Sequence, residues 1–249
     1  MDLRAIHHDE VDSTSERAFE ALRLGTARNG DTHLAASQSA GRGRLGRRWH
    51  SAPGEGLYLS VVLLPPPPGP TQPAALTMAA GLAVLEVARG FGLRGARLKW
   101  PNDVLVHGAK LAGILVESRG YDRAAPHFVV GVGLNVAQRE FPAELLAERP
   151  ATSLALEGAA PPLAAVEAAL LGSLGRRLAQ GLRDDPRLCV EFEAALELLG
   201  AEVAVHCGDE RHLGRLAGID LVDGVTIDTG AGARSFDLAW VSAVERAGS

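Results

Sequence analysis

Gly41 to Ser51 reads GRGRLGRRWHS, with Arg42, Arg44, Arg47 and Arg48 separated by little except glycine and followed at once by Trp49. Four like charges this close repel one another unless an anion pairs with them. The glycines let such a loop be mobile when empty and close over a ligand. Trp49 adds a flat apolar face suited to a ring. A polyanion carrying a planar ring, such as a nucleoside triphosphate, satisfies all of these groups. Gly41–Gly46 also spell G-x-G-x-x-G, but dinucleotide binding needs that loop to open directly into a helix. Here RRWHSAPGEG follows, without helical spacing, so that reading fails. No P-loop pattern occurs either.

The chain uses 23 arginines but only two lysines, Lys99 and Lys110. In a chain that writes arginine for a cation, a lysine marks a place where a compact ammonium is wanted instead of a planar fork. Lys99 opens KWPND, the end of a strand running into a tight turn. Lys110 interrupts apolar neighbours in GAKLAGILVE; an edge lysine that snorkels is the plain alternative. GVGLN (Gly131–Asn135) places two glycines in a strand, a sign of close approach by a ligand or another backbone, and then offers an amide.

These groups need elements to hold them. Ser13 to Glu16 reads as a capping box, and with Gly25 it brackets a short helix. THLAASQ is a strand leading into the arginine loop, and GLYLSVVLLP is a buried strand stopped by Pro65 to Pro68 in a surface loop. PAALTMAAGLAVLEVARGFG has helical spacing. ARLKW and VLVHGAKLAGILVES give three strands, the last two joined at His107-Gly108, and HFVVGVGLNV gives a fourth. Helices follow over about Leu163–Leu182 and Arg187–Leu199. After Gly200 the pattern becomes short strands cut by Gly-Asp, Asp-Gly and Gly-Ala-Gly turns, which suits a small appended β-barrel. The expected organisation is α+β, with one domain over residues 1–199 and a β module over 200–249.

Bulk composition bounds the function. At 249 residues, 47% hydrophobic and a formal charge of −5, the chain can bury a good core and lacks the basic balance of a general nucleic-acid binder. Cys189 and Cys207 are too few for a disulfide framework or a zinc site. The N-terminus has no apolar signal region, and LYLSVVLL is too short for a membrane span. A cytoplasmic protein is expected.

In order, D-S-T from Asp12, Q-x-A-G-R-G-R-x-G-R-x-W from Gln38, K-W-P-N-D from Lys99, K-x-A-G-I-L-V-E from Lys110 and G-x-G-x-N from Gly131 resemble the biotin protein ligases. The resemblance runs from Asp12 through the final β segment. It implies a mixed-sheet catalytic domain of the biotin/lipoate ligase, class II synthetase-like type, with a C-terminal SH3-like barrel. It also implies ATP and Mg²⁺ as cofactors. Biotin would attack the α-phosphate to give biotinyl-5′-adenylate, and the biotinyl group would pass to one lysine of a biotin carboxyl carrier protein.

By the same resemblance Arg44 and Lys110 are catalytic. Ser13, Thr14, Ser15 and Gln38 face biotin's ureido edge, where hydroxyls and an amide supply donors and acceptors. Gly41, Arg42, Gly43, Arg44, Lys110, Gly113, Leu115, Gly131 and Gly133 complete the biotin site, with Ile114 in the apolar wall. Arg42, Arg44, Trp49, Asn102, Asp103, Lys110 and Asn135 bind ATP or the adenylate, and Asp103 holds the metal. Ser15 departs from the asparagine common in the family. Only eleven residues precede Asp12, so no winged-helix DNA-binding domain and no DNA partner are expected; nor is a membrane partner, while a homodimer is allowed. The rival readings are a lipoate-type ligase on the same fold, which would lack the Arg-Gly loop, and a nucleic-acid module resting on the arginines alone.

Overall fold

The computed structural model describes residues 1–66, 73–120, 122 and 124–248. Side-chain alternation builds its larger sheet. Every residue of β3 (Gly56–Leu63) is buried. Leu57, Leu59, Val61 and Leu63 face the main core, which puts Tyr58, Ser60 and Val62 on the opposite face. β3 lies between β2 (Asp31–Gln38) and β7 (Phe128–Asn135), and β6 (Ala109–Glu117), β5 (Asp103–Val106) and β4 (Ala96–Lys99) extend the sheet antiparallel. β1 (Arg4–Val11) is the other edge, parallel to β2 and joined to it through α1 (Thr14–Arg23). Nothing in the hydropathy of RAIHHDEV foretells this strand, because an edge position leaves most of it exposed.

α2 (Ala74–Gly90) is buried nearly all round, between one face of the sheet and the helices α4 (Leu163–Gly181) and α5 (Arg187–Leu196). α1 covers part of the opposite face, where Ala18 and Phe19 pack on Val62 and Val129. The rest of that second face carries the site. The His107-Gly108 turn forms as expected, with both residues at positive φ (50° and 86°), as a two-residue type I′ hairpin requires. The proline run ends in Pro67 and Pro68, which lie outside the described residues; a short helix, α3 (Ala143–Glu148), was not foreseen.

The capping box does not form. Ser13 is the N-cap of α1, but its side chain makes no cap hydrogen bond, and the Glu16 carboxylate is bound by arginines instead. The other end follows expectation. Gly25 takes φ +68°, its N–H donates to Leu22 O, and Thr26 N–H donates to Ala21 O, closing a Schellman motif.

The last strands, β8 (Glu202–Cys207), β9 (Glu210–Asp220), β10 (Gly224–Asp228), β11 (Ala233–Phe236) and β12 (Val241–Arg246), form a separate antiparallel sheet in the order β11-β10-β9-β8-β12. This small barrel-like unit shares one continuous apolar core with the first sheet, through Leu188, Phe192, Trp100, Val203 and Val225 among others. Trp100 Nε1–H donates to Val241 O at 3.0 Å, and Ile219 N–H donates to the Glu193 carboxylate at 2.8 Å. Among the described residues no helix is long and apolar enough to cross a membrane.

One partly buried pair sets a pH dependence. His8 and His33, on adjacent strands, stack with centroids 5.3 Å apart and share a hydrogen bond, Nε2 to Nδ1, of 3.0 Å. Burial, then their mutual repulsion and Arg17, holds His33 below the ordinary histidine range; burial and Arg17 do the same for His8. Between the folded and unfolded pKa values the unfolded chain binds more protons, so stability rises with pH there. Melting temperature should therefore fall as pH drops below ~6.5, and His33→Gln should flatten that slope. Parallel slopes for the two proteins would contradict it.

Candidate functional site

A cavity of about 360 Å³ opens on the second face of the sheet and contains most of the chemistry singled out in the sequence. Its lining includes Ser13, Thr14, Ser15, Gln38, Arg42, Gly43, Arg44, Trp49, Asn102, Asp103, Lys110, Gly113, Leu115, Gly131 and Gly133. Gly41 and Asn135 are not part of its lining.

Strand alternation makes the floor. Gly113 and Leu115 of β6 and Gly131 and Gly133 of β7 point to the cavity face, and Gly113 pairs directly with Gly133 across the strands. Two facing glycines leave a flat patch, and the Trp49 indole rests there. A Cβ on Gly113 would come within 3.0 Å of that ring, and one on Gly133 would overlap it. Ile114 borders the cavity as well, although its place in the alternation and its burial put it in the main core.

One end of the cavity is a hydroxyl–amide cluster. The Thr14 N–H and Oγ1–H donate to Gln38 Oε1 at 2.8 and 3.1 Å, and Gln38 Nε2 donates to Ser51 Oγ at 2.8 Å. Ser60 Oγ lies 2.8 Å from Thr14 Oγ1 and 3.1 Å from Ser15 Oγ. Ser60 escaped the sequence reading because a lone serine in an apolar strand resembles packing; its place in the alternation, opposite the core-facing leucines, was the available signal.

Lys110 stands at the centre, 8% exposed, with its ammonium on the Asp103 carboxylate and 5.4 Å from the Trp49 ring centroid. Burial pulls its pKa below the usual lysine value, against the pull of Asp103; Arg149 and Arg47 add to the lowering. Its backbone is clipped by residues 150–152. Lys110 N–H donates to Pro150 O, Thr152 N–H donates to Lys110 O, and Asn135 Nδ2 donates to Thr152 O at 2.9 Å. Asn135 thus ties the Thr152 segment that clips the lysine backbone. The 150–152 segment carried no motif, and its contribution is made by backbone atoms.

The arginine loop is a small hairpin. Arg42 bridges Arg48, Gly43 N–H donates to Arg47 O, and Trp49 N–H donates to Gly41 O. Its tip, Leu45, is 86% exposed at φ +56°. The sequence picture of four unpartnered arginines is corrected here. Arg42 is gripped by Glu16 and Glu117, and Arg48 donates to Ser39 O, while Arg44 Nη1 makes a long 3.3 Å bond to Asn102 Oδ1. Partners from α1 and β6, distant in sequence, were invisible to a local reading.

The far rim comes from the barrel, where Ser242, Ala243 and Glu245 of β12 line the cavity beside Lys99, Trp100 and Pro101. Trp100 packs edge-on against Phe192, with centroids 5.9 Å apart, and holds Val241 by its hydrogen bond. It therefore sets where β12 meets the site.

Residues 8–135 match the biotin/lipoate A/B protein ligase family. The chain is 36% identical over 226 residues to a biotin–[acetyl-CoA-carboxylase] ligase of Mycobacterium tuberculosis, covering 89% of this chain and 82% of that one. The chain belongs to this family. The bifunctional ligase/repressor BirA of Escherichia coli is 41% identical over 129 residues, but this match spans only 39% of that protein and 52% of this one. The biotin protein ligase from Aquifex aeolicus, solved in complex with biotin and ATP, superposes with a TM-score of 0.79 at 30% identity over 98% of this chain and 99% of that one. The family's mixed sheet and C-terminal β unit are thus both present here.

Proposed function

We propose that this protein is a biotin protein ligase that uses MgATP to form biotinyl-5′-adenylate with release of pyrophosphate, and transfers biotin to a lysine of a biotin carboxyl carrier protein with release of AMP. One observation carries the reading. A single cavity joins the Ser13–Thr14–Gln38 cluster, the glycine floor, the Arg-Gly hairpin and Lys110, in a chain similar to a protein named a biotin–[acetyl-CoA-carboxylase] ligase and to a biotin protein ligase solved with biotin and ATP.

The chemistry follows from charge. A carboxylate attacking a polyphosphate brings anion to anion, so catalysis rests on cations and donors fixed around the developing charge. Arg42, Arg44, Arg47, Lys99, Lys110 and Arg149 surround the cavity, against Asp103 and Glu245. The hydroxyl–amide cluster suits the ureido group, and the glycine floor with Leu115 suits the apolar ring and chain. Lys110 sits where a compact cation serves phosphorus best, and Arg44 supplies a planar fork from the hairpin. With the hairpin shut, water is kept from the reactive mixed anhydride.

Among the described residues no three metal-binding side chains cluster. Mg²⁺ is commonly held through substrate phosphates and one or two carboxylates, and Asp103 fits that pattern. Such an ion would neutralise phosphate charge.

In this reading residues 1–199 hold the catalytic site and residues 200–249 close it. From Gly200 to Arg246 eight acidic residues stand against four arginines, a balance that repels nucleic-acid phosphates. Trp100→Phe keeps the edge-on ring and loses the bond to Val241 O. It should lower stability by ~1 kcal/mol and raise the KM for ATP more than that for biotin; equal KM values in mutant and wild type would sink the claim that Trp100 seats the barrel.

ATP–pyrophosphate exchange tests the proposal. It should require biotin and be unaffected by lipoate. Exchange driven by lipoate and not by biotin would move the chain to the lipoate-type reading.

A further inference from the structure

Gln138 lies three residues beyond the end of β7, fully buried and outside the cavity lining, and the chemistry above makes no use of it. A buried carboxamide must satisfy both of its ends. Val136 N–H donates to Gln138 Oε1 at 2.8 Å and is shared with Glu55 O at 3.2 Å. On the other side Gln138 Nε2 donates to Tyr58 Oη at 3.2 Å and to Asn135 Oδ1 at 3.4 Å. The Tyr58 hydroxyl passes its own hydrogen on to Ala52 O at 3.0 Å; burial raises the phenol pKa, so it stays a donor. Asn135 Nδ2 donates to Thr152 O at 2.9 Å and to Lys110 O at 3.4 Å.

These bonds can run in one direction only. A backbone N–H never accepts, so Oε1 must face Val136 and the amide NH2 must face Tyr58 and Asn135. Asn135 is then obliged to present Oδ1 to Gln138 and to turn Nδ2 on the two carbonyls. One of these belongs to the 150–152 segment that clips Lys110, and the other is Lys110's own. We infer that Gln138 is a positioning residue, which sets the Asn135 carboxamide and through it the backbone that carries the Lys110 ammonium. The Gln138 backbone holds the same segment independently, because its carbonyl accepts from Ser153 Oγ at 2.5 Å. A side-chain substitution therefore disturbs the amide order and spares that anchor. Lys110 and Asn135 also border a smaller pocket with Phe141, Leu145 and Arg149. That they serve the nucleotide rests on the function proposed above; the one-way order of hydrogen bonds does not. The Thr14–Gln38–Ser51 cluster, assigned to biotin, shares none of these bonds.

The test compares the full-length protein with Gln138→Leu, which keeps an apolar side chain of similar length and removes both ends of the amide. The first arm is amide hydrogen exchange. The Thr152 N–H, bonded to Lys110 O, should exchange about tenfold faster in the variant, while the strand-centre amides of Val130 and Val132 keep their rates within twofold. The second arm is ATP–pyrophosphate exchange. There kcat/KM for ATP should fall about tenfold with the KM for biotin changed less than twofold, a split that a general loss of stability would not produce. In an Asn135→Ala background the same substitution should cost less than a further twofold, because Gln138 acts through that amide. Should Gln138→Leu not fold, Gln138→Glu keeps the shape and the acceptor toward Val136, loses the amide donor, and should give the same split. Unchanged exchange at Thr152, equal effects on ATP and biotin, or an undiminished loss without Asn135 overturns the positioning role. Faster exchange at Thr152 in the variant, with no biotin-dependent pyrophosphate exchange in the wild type, would overturn the ligase reading and leave the positioning of Asn135 standing.

Discussion

Lys110→Arg should reduce adenylate formation by at least about a hundredfold while changing biotin affinity only a few fold. The ammonium is buried, ion-paired to Asp103, covered by Trp49 and within 3.0 Å of where a Gly113 Cβ would lie. A guanidinium is wider and rigid, so it cannot fit that space without displacing the indole or breaking from Asp103. A cation that matters most as charge shifts at phosphorus appears in kcat and hardly in ground-state binding. Single-turnover formation of the adenylate, set beside calorimetric titration with biotin, separates the two effects. Wild-type rates in the variant would remove Lys110 from the chemistry.

Gly133→Ala should be the most damaging single-methyl change on the cavity floor. The added Cβ overlaps the Trp49 indole, approaching it to 2.3 Å, whereas one on the cross-strand partner, Gly113, would lie 3.0 Å from the same ring. Since the floor is β-sheet it cannot yield, and the ring and its hairpin must lift instead. Biotin affinity in the presence of ATP should fall by roughly ten- to a hundredfold, about 1.4–2.7 kcal/mol. Most of that loss should disappear when Gly133→Ala is made in a Trp49→Ala background, since the two changes act through one contact. Additive losses would mean that the methyl group strikes the ligand and not the hairpin.

How far the sequence could be read depended on how local each cause was. Helix α1 was legible at its C-terminus, where Gly25 must take a left-handed turn, and misread at its N-terminus. Ser13 to Glu16 has the spacing of a capping box, but Glu16 is drawn away by Arg42 and Arg119, and charged partners outcompete a cap. The glycines of GVGLN suggest close approach by a ligand or another backbone; in the structure it is a side chain, Trp49, that lies against Gly133, while Gly131 faces Leu115 and Ser15. Asn135 was noticed for its amide, which in this structure holds Thr152 O behind Lys110. Trp100 drew no separate comment within KWPND, because its partner, Val241, lies in the other sheet. β1 left no hydropathy trace because it is an edge.

The most direct measurement is the mass of an isolated biotin carboxyl carrier domain after incubation with this protein, biotin and MgATP. The account predicts one biotinyl group, on one lysine, dependent on ATP and lost with Lys110→Arg. An unmodified carrier under conditions where the protein is folded and binds biotin, or a modification that proceeds without ATP, would contradict it.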